Sequence, residues 1–122
     1  MSEEDYKEIL RAVESGDNEA KTRLAWHKLS GVGGVEIDKD YAVALLEERV
    51  KDKDGEAMWM LGLCYEYGMG CEQDLNRAKK LYKKSSDRGS VTGKFLMENK
   101  EEIGTGIMKR NKCMLNNNKT KT

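Results

Sequence analysis

One stretch of this chain occurs twice, about 36 residues apart, and no other feature limits the possible folds as tightly. The fuller copy reads Ala57-Met58-Trp59-Met60-Leu61-Gly62-Leu63-Cys64-Tyr65-Glu66-Tyr67-Gly68-Met69-Gly70. It continues through Asp74-Leu75-Asn76-Arg77-Ala78 and Leu81-Tyr82-Lys83-Lys84-Ser85-Ser86 and closes at Gly89. The other copy keeps Ala20, Leu24-Ala25, Gly31, Asp38, Ala42 and Leu45-Leu46 in the same order. Ala57 follows Ala20 by 37 residues and Gly68 follows Gly31 by 37, while Asp74 follows Asp38 by 36 and Leu81 follows Leu45 by 36. A repeat of this length is one helical hairpin with an apolar flank that only the next hairpin can cover. Such stacks serve as gripping surfaces far more often than as reaction sites.

The strongly patterned segments all predict helix. From Glu3 to Ser15, Tyr6, Ile9, Leu10 and Val13 fall at helical spacing, and Gly16 stops the run. Asp17 or Asn18 caps a second helix reaching about Leu29, and Gly31-Val32-Gly33-Gly34 breaks it. Asp38 caps a third helix over about Lys39 to Lys51, Asp54 a fourth ending at Tyr67, and Asp74 a fifth closed by Gly89. Ser90 opens a weaker sixth through Phe95, Leu96 and Met97. After Glu102 the apolar period is lost, and residues 104–122 read as a polar, basic tail expected to be disordered.

Composition narrows the function. The chain has 122 residues, one domain's worth, with 38% hydrophobic and 36% charged residues and no proline. No apolar run approaches the roughly 20 residues that span a bilayer. The acidic opening Ser2-Glu3-Glu4-Asp5 is unlike a secretory signal, which predicts a cytoplasmic protein, with the nucleus as the other compartment. Three cysteines do not suggest a disulfide framework, and Cys64 and Cys71 read as small hydrophobes. Net charge is zero, yet residues 1–60 carry 9 basic and 15 acidic residues and residues 61–122 carry 13 and 7.

Each repeat residue has a packing reason. Ala57, Leu61 and Tyr65 form one stripe. Gly62 costs its helix about 1 kcal/mol relative to alanine, a cost offset by close approach of a partner helix. Gly68 and Gly70 permit positive φ in the turn. Ala78, Leu81 and Tyr82 make the answering stripe, and Ser85 and Ser86 keep the end of that helix thin.

With these residues the chain resembles the Sel-1-like repeat family, closely over residues 54–89 and moderately over 17–53. The tetratricopeptide repeat is shorter, about 34 residues, and usually carries a proline after its second helix. The resemblance implies an all-α fold, an α/α solenoid of antiparallel hairpins. Residues 1–16 would be an N-terminal capping helix, 17–53 and 54–89 the two repeats, and 90–103 a partial repeat helix. It also implies an adaptor or scaffold that binds another protein or peptide segment on its concave face, without cofactor. The first repeat departs from the pattern: Lys28 replaces the aromatic, Ala25 the glycine, and Arg49-Val50 two small residues.

Nothing in the sequence builds a reaction site. His27, the only histidine, reads as surface or boundary filler. No Cys/His cluster has zinc spacing, and the glycine loop lacks the lysine and serine or threonine of a phosphate loop. The chain is therefore expected not to be an enzyme and to hold no metal. If the first helix of each pair lines the concave side, the resemblance puts Thr22, Trp26 and Leu29 on that wall. Trp59, Leu63 and Glu66 follow in the second repeat, and Phe95 and Asn99 in the partial one. Its aromatics are candidate anchors. A competing surface is the basic helix with Arg77, Lys79, Lys80, Lys83, Lys84 and Arg88, suited to an acidic partner or nucleic acid, although stacking aromatics are missing.

Terminal units of a solenoid lack a neighbour on one side, so residues 1–16 should matter as a cap. Deleting them is expected to lower the urea midpoint by the equivalent of several kcal/mol, as large apolar truncations do. Removing residues 104–122 is expected to leave the midpoint nearly unchanged.

Overall fold

The structure, a computed structural model, describes residues 3–99, with side chains from residue 5 onward. The expected tail of 104–122 and the last residues of the partial repeat lie outside that range. The described residues are helical throughout: α1 (Glu3–Glu14), α2 (Asn18–Ser30), α3 (Lys39–Lys51), α4 (Gly55–Tyr67) and α5 (Leu75–Asp87), with one 3-10 turn at Val32–Gly34. Residues 91–99 form a further helical run.

The starts lie where the aspartates stand. Asp17, Asp38 and Asp74 accept hydrogen bonds from the backbone N–H groups of Ala20, Tyr41 and Arg77. Asp54 accepts from both Glu56 and Ala57. Each cap satisfies a donor the helix cannot, an effect of about 1 kcal/mol. Gly31 and Gly68 end α2 and α4 in the left-handed region, at φ 77° and 67°. The loops then return identically: Asp38 N–H donates to the Lys28 carbonyl and Asp74 N–H to the Tyr65 carbonyl, each at 2.8 Å.

Helices pack in chain order, α1 on α2, α2 on α3, α3 on α4 and α4 on α5. This is an α/α solenoid of antiparallel hairpins, with α1 packed against α2. Its core runs through the stack, with Ala25, Ala42, Leu46, Ala57, Leu61 and Cys64 fully buried.

The two hairpins solve one packing problem with different side chains. A Cβ on Gly62 would lie 2.6 Å from the Tyr82 ring, so α4 and α5 close only because that side chain is missing. The buried Tyr82 hydroxyl donates to Glu66 Oε1 at 2.5 Å. In the first repeat the matching positions are Ala25, Leu29 and Leu46, all buried and apolar. A smaller side chain on α3 leaves room for a methyl on α2, and without a phenol no acceptor is needed.

Arg49 explains the departure seen in the sequence. It occupies the position of Ser85, whose hydroxyl donates to the Gly55 carbonyl at 2.7 Å. Arg49 instead runs buried between repeats, with Nη1 2.7 Å from Asp52 Oδ2 and Nε 3.6 Å from Asp54 Oδ2. Thr22 Oγ1 donates to the same Asp54 oxygen at 2.6 Å. His27 is corrected: it is buried in the position that Cys64 holds in the other repeat, not surface filler.

Gly62→Ala should therefore destabilise the protein. Overpacking outweighs the helix propensity gained, for a net loss of about 1–2 kcal/mol. Adding Tyr82→Leu and Glu66→Leu copies the trio of the first repeat and is expected to recover most of the loss, read from urea midpoints.

Candidate functional site

Trp26 on α2 and Trp59 on α4 meet across the repeat boundary, edge to face, with ring centroids 5.5 Å apart and planes at 61°. Both are half-buried. Edge-to-face geometry sets the positive rim of one ring against the negative face of the other. Trp59 Nε1–H also donates to Glu56 Oε2 at 2.6 Å. One repeat further on, the matching positions are Leu63 and Phe95. Leu63 is half-buried, and Phe95 is 61% exposed on the helical run 91–99, where Val91 is 83% exposed. Asn99 is half-buried and bonds back to the Phe95 carbonyl of its own helix.

Three residues expected on this wall face inward instead. Thr22 is buried and bonded to Asp54, Leu29 belongs to the core cluster, and Glu66 is buried against Tyr82. Helical spacing alone did not separate them from their neighbours, because each is drawn in by a partner on another helix. The exposed or half-exposed wall reduces to Trp26, Trp59, Leu63 and Phe95, with Asn99 at its end.

Two open clefts lie along α2. One of about 750 Å³ lies between α1 and α2, and one of about 540 Å³ lies between α2 and α4. They share Glu19 and Arg23 in their linings, and Glu56 and Met60 line the second.

A second aromatic–carboxylate pair sits between α3 and α4. Tyr65 Oη donates to Glu47 Oε2 at 2.8 Å. Arg77 completes it, with its guanidinium 4.6 Å from the Tyr65 ring centroid and 3.5 Å from Glu47 Oε1. Burial and the bond to Glu47 push the Tyr65 hydroxyl up to about 12.

The basic helix is amphipathic. Ala78, Leu81, Tyr82 and Ser85 are buried against the stack, while Arg77, Lys80, Lys83, Lys84 and Arg88 are exposed and Lys79 is half-buried. Arg77 pairs with Glu47 and Lys83 with Asp87. Among the described residues, Lys79, Lys80, Lys84 and Arg88 have no ion pair. No three His, Cys, Asp or Glu side chains gather as a metal site among the described residues, and no helix there is long and apolar enough to cross a membrane. Cys64 and Cys71 are free thiols. Burial pushes Cys64 up to about 12 and also raises Cys71, so neither is primed as a nucleophile.

These features define a helical-repeat protein with an aromatic wall. The Sel1 repeat model matches residues 18–48 and 55–90, and the chain belongs to the Sel1 repeat family. A Sel1 repeat protein from Oxalobacter formigenes superposes with a TM-score of 0.66 at 32% identity, covering 78% of this chain and 36% of its own. The structure of c5321, a protective antigen of uropathogenic Escherichia coli with an SLR fold, gives 0.65 at 22% identity, covering 80% of this chain and 21% of its own. This chain thus spans only a fraction of either relative. No curated protein matches it significantly.

Tyr82 and Cys64 generate a pH prediction. Burial, then the bond to Glu66, pushes the Tyr82 hydroxyl far above its ordinary 10.0, and Cys64 rises from 9.0 to about 12. Above these ordinary values the unfolded chain releases both protons while the folded chain retains them. The unfolded state then binds fewer protons, so stability falls with rising pH. The urea midpoint should be flat through pH 8 and decline from about pH 9 toward 12. Tyr82→Phe and Cys64→Ala should each flatten that decline.

Proposed function

We propose that this chain is a protein–protein interaction adaptor whose wall of Trp26, Trp59, Leu63 and Phe95 grips a segment of another protein. The Trp26–Trp59 contact carries this reading: two large aromatics remain half-exposed at the boundary between repeats, where a helical stack offers its surface. Aromatics in partly enclosed positions are the usual anchors of binding energy. Membership of a repeat family that generally serves as interaction scaffold supports it, as fold-level analogy.

A second reading is favoured by the unpaired Lys79, Lys80, Lys84 and Arg88 on α5. There the chain is a charge-driven binder of nucleic acid or an acidic surface. The exposed side of α5 carries no aromatic for base stacking, which weighs against nucleic acid.

Affinity capture followed by mass spectrometry, run beside the folded Trp26→Ala/Trp59→Ala variant, separates the two. The adaptor reading expects a partner that the variant fails to hold and whose affinity depends weakly on salt. A partner that the variant still holds, but that is lost more than about a hundredfold between 50 and 200 mM salt, would identify α5 as the functional surface instead.

A further inference from the structure

The molecule contains a worked example of how it holds a cation, and α4 carries a second hydrogen bond from a ring to a carboxylate. At the Tyr65 site, the aromatic side chain donates its one polar hydrogen to the Glu47 carboxylate. The Arg77 guanidinium then lies over the ring and beside that carboxylate, attracted by both. At the Trp59 site the first half is repeated: the indole N–H donates to the Glu56 carboxylate at 2.6 Å. The cations seated over rings among the described residues lie over Tyr41 and Tyr65, not over either tryptophan. Glu56 has no ion pair among the described residues.

We infer that the Trp59–Glu56 pair receives an arginine or lysine side chain of the bound segment, so the partner is basic at this position. The inference deepens the adaptor reading and rests on it. Two independent features favour the same ligand charge. Indole is the best of the side-chain rings for a cation, more so where water is partly excluded. The neighbouring cleft of about 540 Å³ adds carboxylate charge: Glu19 and Glu56 stand at its rim against Arg23, while Asp54 and Arg49 face each other as an ion pair. The rim is thus net negative. Trp26, edge to face with Trp59, adds a second half-buried ring at the site. The partner expected here is therefore basic, where the charge of α5 alone suggests an acidic one.

The probe is N-acetyl-arginine amide, with N-acetyl-citrulline amide as its neutral isostere. The readout is the Trp59 indole N–H resonance of isotope-labelled protein. The arginine amide should shift this resonance saturably in the millimolar range, and the citrulline amide should not. Glu56→Gln should weaken the arginine amide by about tenfold. Glu19→Gln leaves the indole hydrogen bond in place and should weaken it by a smaller factor. Melting temperatures confirm that both variants fold. Equal shifts from the two amides, or an arginine-amide affinity unchanged in both variants, overturn the inference. Either result leaves the adaptor reading standing, because that reading is decided by partner capture in the tryptophan variants.

Discussion

The junction between the two repeats hangs on one carboxylate. Asp54 Oδ1 accepts from the backbone N–H groups of Glu56 and Ala57, which starts α4. Its Oδ2 accepts from Thr22 on α2 and faces the Arg49 guanidinium at the end of α3. Three helices from two repeats therefore converge on one side chain. The proposed binding pair, Trp26 and Trp59, sits on two of those helices. Asp54 ties α2 to the start of α4, the two helices that carry this contact. A buried guanidinium is tolerable here because Asp52 and Asp54 flank it, and removing either partner of such a pair leaves a costly buried charge.

Much of this architecture was legible in the sequence, and the reasons are local. Aspartates at 17, 38, 54 and 74 and glycines at 31 and 68 punctuate the helices by chemistry that acts within a few residues. The glycine at 62 announced a close approach, although only the structure shows the Tyr82 ring as the neighbour. Burial of Thr22, Leu29 and Glu66 was not legible, because it depends on the residue across the helix interface. Glu66 turns inward only because α5 brings a phenol into the core. The buried position of His27 did have a signal: its repeat counterpart, Cys64, lies on the apolar side of α4. The tryptophan contact had one too. Trp26 and Trp59 are 33 residues apart, one helical turn short of the repeat, which sets them side by side on adjacent first helices.

The two proposed surfaces of this small stack differ in physical kind. The tryptophan pair is half-buried and aromatic, with Glu56 bonded to Trp59, so it can discriminate by shape as well as charge. The outer side of α5 is open and lysine-rich, with its apolar side chains committed to the core. Open charge attracts from a distance, is screened by salt and selects weakly.

The different trios of the two hairpins bear on how the chain finds its own pairing while folding. Tandem repeats of similar sequence are prone to join the wrong partners, because any first helix resembles a match for any second one. Here an exchange carries a penalty in each direction. Setting α5 against α2 would press the Tyr82 ring on Ala25 and bury its hydroxyl opposite Leu29, where there is no acceptor. Setting α3 against α4 would leave Leu46 beneath Gly62 with a void and would confront Glu66 with an aliphatic side chain. Each mispairing combines a steric or cavity defect with an unmet hydrogen bond, and both kinds of defect are costly in a close-packed interior. Divergence between the copies thus acts as an address label, directing each helix to its own neighbour.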